Sequence, residues 1–596
     1  MADKNREKGG CFRAGCLTAV VAVLLLAGLG WFAQQWGNRL PGRFVLRVPV
    51  SGAIDERSPD AASLPFGGER QPLSLEELLT LFDRAKSDRR VDSVLLEIDG
   101  LGAPVAKAQE LERSIAELRK SGKKVTALLD TPEDKDYRLA AACDSVIVRK
   151  GSWMMLDGLK AEMFFFSDPL KKLGVSFQAA QWKKYKSAVE SFTRSSASPE
   201  NLEETNALLD DAWADYLDSV SRHRHIGPAE FRNVVDSLAV LTPEKALALR
   251  LVDRVATERQ LEKEYEERLG KPAGELFVGG REYLGATGGM RPKADGDRIA
   301  VVAITGMIVS DGAGGVGEAE VTDVSTVKQA LQTALDDPKV KAIVLRIDSP
   351  GGDALAASTM LELLQEARLQ KPIVASMSGV AASGGYMVAL AGSKIFAEPL
   401  TITGSIGVFS LKPDLGGLLE KTGIRREVLT RGRFADAYTP FKAFDDASFR
   451  KFVETTGVIY DDFIAKVAKG RKMTPAEVDA VAGGRVWSGR RALEVGLIDR
   501  IGGLDEAVQE AKKLAKMDAK VKPELLYLPA RKTWLEYLLA GDASELASAL
   551  TAGVLRQSLG ELEPLTRLPG TKTARFLLRA EEPQVLALDP VEVTIK

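Results

Sequence analysis

The 596-residue chain is expected to fold as two tandem α/β domains behind an N-terminal transmembrane helix. Three observations lead there. A continuous apolar run lies near the N-terminus, one sequence pattern occurs twice about 250 residues apart, and within each copy strand-like apolar runs alternate with helical periodicity. Such alternation is the mark of βα units whose sheet is covered by helices on both faces.

Residues 1–13 are read as a cytoplasmic N-terminus, because Lys4, Arg6, Lys8 and Arg13 outnumber Asp3 and Glu7. Residues 14–33, AGCLTAVVAVLLLAGLGWFA, are about as long as a hydrocarbon core requires of a helix, roughly twenty residues, with Trp31 and Trp36 suited to the far interface. A cleaved signal peptide is the competing reading. The run exceeds the usual h-region of about 7–15 residues, and no small-x-small cleavage site follows it, so the uncleaved anchor is preferred.

The first repeat spans 40–285 and the second 298–520, joined by a Gly-rich charged linker at 286–297. Each opens with a β-rich run ending in a glycine turn, FVLRVPVSG after Arg43 and IAVVAITG after Arg298. Each continues to a buried strand ending in an acid, SVLLEID to Asp99 and AIVLRID to Asp348, an offset of 249 residues. The same offset aligns Tyr137 with Tyr386 and Gly158 with Gly407, and both copies close on related helix-turn patterns, LTPEKALALRLVDRV and WSGRRALEVGLIDRI. Residues 521–596 have no counterpart in the first copy and are expected to be a mostly helical extension.

A composition of 45% hydrophobic and 28% charged residues with a net charge of −2 is that of a globular protein, and it gives no support for a nucleic-acid partner. Cys11, Cys16 and Cys143 form neither a disulfide framework nor a zinc pattern, so no metal and no cofactor are expected. The two histidines, His223 and His225, lie together in a polar stretch and read as solvated surface residues. Any hydrolytic mechanism here should therefore work without histidine.

In the second copy the strand AIVLRID runs into Ser349-Pro350-Gly351-Gly352, whose adjacent glycines let backbone N–H groups approach a ligand, as an oxyanion hole requires. About thirty residues on, a second strand leads to Ser383, followed by Gly384, Gly385 and a helical run. Taken alone, Ser383 could be an ordinary helix cap and the SPGG sequence a plain tight turn. Together, at the ends of strands expected to be neighbours, they suggest a nucleophile beside an anion site. Asp348 and Asp353 have no histidine to orient and are read as turn caps.

SPGG, AASGGYMVALAG and LTITGSIGV resemble the signal peptide peptidase A family, which shares the Clp protease/crotonase type of fold. Two tandem copies after an N-terminal span resemble its long bacterial form, over about residues 14–515. The resemblance implies a serine endopeptidase with Ser383 as nucleophile and Lys186, in the first copy's YKSAVE, as general base. The residues themselves place oxyanion donors among Gly351, Gly352 and Gly384, and Ser405, in the glycine-flanked TGSIG loop, is expected to hydrogen-bond the lysine amine or line the cleft. Implied substrates are signal peptides left in the membrane and misfolded envelope proteins, handled on the periplasmic side of a bacterial inner membrane by a ring-like homotetramer.

The repeat makes the same division. At the offset of 249, position 435 opposite Lys186 is alanine and position 134 opposite Ser383 is aspartate, so each copy keeps one half of the pair. As a base, Lys186 needs an apolar burial that lowers its pKa from about 10.4; Lys183 and Lys184 are left as surface charges. A crotonase-like acyl-CoA enzyme and a non-catalytic membrane scaffold are the alternatives. The anchor and the SGG elbow weigh against the first, and retention of both members of the pair against the second.

Overall fold

The computed structural model describes residues 40–58, 72–290, 296–311, 321–530 and 585–588. The expected membrane span at 14–33 lies outside them; among the described residues no helix is long and apolar enough to cross a membrane.

The first copy runs β1 (Phe44–Gly52), α1 (Leu75–Ser87), β2 (Val91–Leu101), α2 (Val105–Lys120), β3 (Lys124–Leu129), α3 (Asp134–Ala141) and β4 (Ser145–Arg149). It continues with β5 (Ser176–Trp182), the long helix α4 (Pro199–Arg224), β6 (Arg254–Ala256) and β7 (Phe277–Gly279). Its sheet has the order β6-β4-β3-β2-β1-β7, and every pairing is parallel. Helix α1 starts where Ser74 and Glu77 form a reciprocal capping box, which satisfies two of the amide donors a helix start leaves open.

The second copy repeats this plan. It comprises β8 (Arg298–Val309), α5 (Val324–Asp336), β9 (Val340–Asp353), α6 (Ala354–Arg368), β10 (Ile373–Ala382), α7 (Gly384–Ala389) and β11 (Ile395–Ala397). After these come β12 (Ile402–Gly404), β13 (Val408–Asp414), α8 (Asp446–Arg471), β14 (Val486–Ser488), β15 (Arg500–Ile501), α9 (Leu504–Leu514) and β16 (Glu524–Leu528). The parallel run β15-β11-β10-β9-β8-β16 matches the first sheet strand for strand. Tyr137 and Tyr386 even donate equivalent hydrogen bonds, to the carbonyls of Leu251 and Leu497, each at 2.8 Å. Apolar clusters cover both faces of each sheet, which is why the strands read as unbroken hydrophobic runs.

Beyond residue 520, where a mostly helical extension is expected, the described pieces are strands; 531–584 and 589–596 lie outside the described residues. Strand β16 is the edge strand of the second sheet, and a final strand, β17 (Val585–Leu588), pairs antiparallel with β9 and β13.

Two devices dock the copies. The first is a strand exchange: β5 leaves its own copy and pairs antiparallel with β13 over seven residues, from Ser176 opposite Asp414 to Trp182 opposite Val408. Trp182 packs against the second copy's core. The second is a buried charge cluster. Arg346 of β9, 1% exposed, donates to Glu56 at 2.6 Å, Glu110 at 2.5 Å, Ser376 at 2.8 Å and Ser378 at 3.0 Å, and Lys107 meets Asp348 at 2.7 Å. Both acids on Arg346 come from the first copy, so a shifted docking of the copies would leave buried charges without their partners.

Arg346→Met should therefore destabilise the protein by about 3–5 kcal/mol in urea unfolding, because it leaves Glu56 and Glu110 buried without their partner. Adding Glu56→Gln and Glu110→Gln to it should recover much of that loss. Additive losses across the three changes would show that the cluster does not act as a unit.

Candidate active site

Strands β9 and β10 are parallel neighbours with Ser349 opposite Ala381, so the SPGG turn and the Ser383 turn lie side by side. Ser383 occupies the N-cap position of α7 with φ 54° and ψ −114°, outside the extended conformation an N-cap residue normally holds, and its side chain does not cap the helix. A non-glycine residue held at positive φ is costly, of order 1–3 kcal/mol, and persists only where surrounding structure fixes it. Here the Ser383 N–H donates to the Gly404 carbonyl at 2.8 Å, and its carbonyl accepts from the Met387 N–H at 2.9 Å.

The side chain of Ser383 is turned instead to Lys186. Lys186 Nζ lies 2.8 Å from Ser383 Oγ, 2.9 Å from Ser405 Oγ and 3.1 Å from the Ser405 carbonyl. All three side chains are fully buried. Lys183 and Lys184, three and two residues earlier, are exposed, and Lys183 pairs with Asp479 at 2.6 Å. Geometry thus selects one lysine of three in KKYK. The selecting element is β5: once Trp182 is in register with Val408, the chain turns over the second copy and Lys186 points inward. Ala188, Val189 and Phe192, just beyond, pack with Met307, Val309, Phe409 and Leu411 of the second copy and hold that turn in place.

Gly351 and Gly352 have φ of 102° and 158°. A Cβ on Gly352 would lie 1.9 Å from the Ile308 carbonyl oxygen, so only glycine fits. The Gly351 N–H donates to Ser349 Oγ at 3.1 Å, and Gly384 begins α7, where the first amides have no partner within the helix. The remaining sequence candidates divide. Asp353 caps α6, accepting from the Ala356 N–H at 2.7 Å, as expected. Asp348 is not a turn cap: it pairs with Lys107 and accepts from the Val380 N–H at 3.0 Å, tying the first copy to the strand that carries Ser383. Burial pushes its carboxyl up, but the Lys107 ammonium more than offsets this and holds it below the usual range. Of the histidines, His225 is exposed while His223 is half-buried, and desolvation pushes its imidazole down to about 4. Cys143 is buried, and its thiol is pushed up by desolvation.

Sequence reasoning missed the pair Gly483-Gly484. The Gly483 carbonyl accepts from the Tyr185 N–H at 3.1 Å, and a Cβ on Gly484, at φ +87°, would come within 2.4 Å of Lys186 N. The Gly-Gly dipeptide was the available signal, but it is also an ordinary turn signal and nothing in the sequence tied it to residue 186. Glu204 of α4 was missed as well. It accepts from Ser187 Oγ at 2.8 Å and from the Val486 N–H at 3.3 Å, bridging the lysine turn to β14.

The first copy's counterpart of this site is different chemistry. Asp134 stands where Ser383 stands in the second and accepts from the N–H groups of Asp157 and Gly158, each at 3.2 Å. Burial raises its carboxyl to about 7, against the opposing pull of Tyr216 and those amides. Ala435, opposite Lys186 at the repeat offset, is on an exposed loop.

The comparisons with known proteins bear on this geometry. The family model of peptidase family S49 matches twice, at residues 117–271 and 365–518, and the Clp protease model matches residues 316–401. A serine protease of Arabidopsis thaliana, named SPPA and chloroplastic, is 32% identical over 91% of this chain and 78% of its own length. Protease 4 of Salmonella typhi is 31% identical over 83% and 82%, and Protease 4 of Haemophilus influenzae 30% identical over 75% and 74%. These matches favour a protease over the acyl-CoA enzyme and the scaffold.

Two expectations follow from the geometry. Gly484→Ala should lower kcat/KM on casein by about 10²-fold, since displacing Lys186 by an ångström is enough for such a loss, while the far-ultraviolet circular dichroism is kept; unchanged turnover would show that the glycine does not position the lysine. Asp134 has its folded pKa raised above the unfolded value of 3.8, so its neutral form is favoured on folding, and its contribution is fully present below about pH 4 and lost as pH rises towards 7. Asp134→Asn should thus gain roughly 2–4 kcal/mol over wild type between pH 4 and pH 8 in urea unfolding. A pH-independent difference would contradict the raised pKa.

Proposed function

The chain belongs to peptidase family S49 and is a serine protease, and we propose that it is a membrane-anchored endopeptidase using Ser383 as nucleophile and Lys186 as general base. The observation that carries this reading is the 2.8 Å contact between Lys186 Nζ and Ser383 Oγ, within the reach a base needs to remove the hydroxyl proton. Complete burial of the amine disfavours its charged form, and the Ser405 hydroxyl and carbonyl fix its direction.

In the proposed sequence, Lys186 takes the proton of Ser383, and Ser383 Oγ adds to a peptide carbonyl. The oxyanion is met by the N–H of Gly384 together with that of Gly351 or Gly352; Gly351 would release Ser349 Oγ to do so. Lys186 then protonates the departing amine, and water hydrolyses the acyl-enzyme with Lys186 again as base. No cofactor is required by this chemistry.

The substrate reading is signal peptides after release from their preproteins and, more broadly, misfolded envelope polypeptides. The reading places one membrane span at 14–33 and the two domains on the periplasmic side of a bacterial inner membrane. It extends to a homotetramer, for which the exposed Ile424, Val428, Leu429 and Phe434 offer apolar surface that association would cover.

Ser383→Ala and Lys186→Met should each lower the hydrolysis of casein and of a synthetic signal peptide by at least about 10³-fold, and the double variant should lose little more, because the two act as a unit. Ser405→Ala should cost about tenfold, as the loss of one buried hydrogen bond to the amine. Turnover near wild type in either dyad variant would refute the assignment.

A further inference from the structure

Both ladders of β9 break at the same place, the start of the SPGG turn. On the β8 side the register slips between Thr305, opposite Asp348, and Met307, opposite Gly351. On the β10 side Ile347 faces Met377 and Ser349 faces Ala381, so Ser378, Gly379 and Val380 stand against Asp348 alone. A bulge of this kind bends its strand and re-aims the side chains beyond it. Past the bulge Ser383 draws level with Gly351, each two residues after the Ser349–Ala381 pair. Had the earlier register continued, Gly351 would stand level with Ala381, and Ser383 would lie two residues, about 6–7 Å, past that glycine.

Asp348 fills the gap in the ladder: its Oδ1 accepts from the Val380 N–H at 3.0 Å. The first copy grips the bulge from the other side. Lys107 of α2 is 3% exposed; its Nζ lies 2.7 Å from Asp348 Oδ2 and donates to the Ile54 carbonyl at 2.8 Å. Glu56 accepts from Ser378 Oγ and lies 3.9 Å from Lys107 Nζ. A Cβ on Gly379 would come 3.0 Å from Pro104, at the start of α2, and 3.1 Å from Asp348 Oδ1. In the first copy β2 and β3 pair from Ser93–Lys124 to Ile98–Leu129 without a register shift, and Asp99, at the position of Asp348, is exposed. The break and the buried aspartate thus belong to the copy that carries the serine.

We propose that Lys107 is a positioning residue for the hydrolytic step: by holding the Asp348 carboxylate on the Val380 N–H, it fixes the bulge that sets Ser383 beside the Gly351–Gly352 turn. The inference rests on the Ser383–Lys186 reading, to which it adds a second lysine of the first copy, one that acts on the oxyanion side of the site. A buried carboxylate that loses its cation takes up a proton or turns towards water. Either change weakens its charge-assisted hold on Val380. The attacking oxygen and the amides that meet the oxyanion are then displaced relative to each other, while substrate contacts elsewhere in the cleft are kept. The loss therefore falls on kcat and not on KM.

Lys107→Met keeps most of the buried stem and removes the charge. Casein turnover and labelling of Ser383 by a fluorophosphonate are measured on the full chain, with circular dichroism to confirm folding. The variant should lower kcat about 10²-fold with KM within about threefold of wild type, and slow the labelling by a similar factor. Asp348→Asn keeps an oxygen for the Val380 N–H and needs no cation, so adding it to Lys107→Met should recover about tenfold of the loss. The proposal is overturned if folded Lys107→Met turns over casein at the wild-type kcat, if its loss lies in KM alone, or if the double variant is no better than the single one. Should Lys107→Met not fold, Gly379→Ala decides: its methyl presses on Asp348 Oδ1, so kcat should fall about tenfold, and an unchanged kcat overturns the proposal. Equal labelling of Ser383→Ala and wild type would show instead that the Ser383–Lys186 reading has failed.

Discussion

Everything at the proposed active site depends on seven residues of β5 pairing with β13. A strand has a repeat of two, so a slip of one residue would turn its side chains to the opposite face. Lys186 follows the last paired residue, Trp182, by four positions, and its direction is inherited from that register. Trp182 in the second copy's core and Glu204 bridging Ser187 to β14 resist a slip from two sides. The buried cluster around Arg346 fixes the docking from farther away: its acids come from the first copy, its cation and two serines from the second. A displaced interface would leave these charges desolvated and unpaired, a cost far larger than any surface ion pair could restore.

The two copies show what a shared fold does and does not conserve. Strand order, the long helices α4 and α8 of 26 residues each, and the tyrosine that donates to a distant carbonyl recur in both. The site chemistry diverges. Where the second copy has a strained serine, the first has an aspartate whose carboxyl sits near neutrality; where the first has the buried lysine, the second has an exposed loop at the matching offset. On the proposed reading one interface assembles a complete site, and the unused position in each copy is free to diverge.

The sequence disclosed what is periodic or repeated. Alternating apolar runs and a constant offset of 249 predicted the α/β repeat, and glycine turns at strand ends brought Ser383 and the SPGG segment together. Lys186 was legible only by resemblance: among KKYK nothing local separates it from Lys183 and Lys184, because its burial comes from a tertiary pairing. Asp348 was misread for the same reason, since its partner Lys107 is about 240 residues earlier and on another domain. Gly484 was invisible until the backbone of residue 186 was seen against it. Residues that act within one turn or one strand leave a local trace, whereas residues that act across the docking interface do not.

The sequence separation of 197 from Lys186 to Ser383 has a consequence during synthesis. At about 5–20 residues per second a ribosome needs on the order of 10–40 seconds to travel from one to the other, and longer to reach Gly484. Through that interval the first domain can fold with its lysine facing no serine. On the proposed Ser383–Lys186 reading, a protease whose halves are made at different times gains its cutting power only once the second domain has docked on the first.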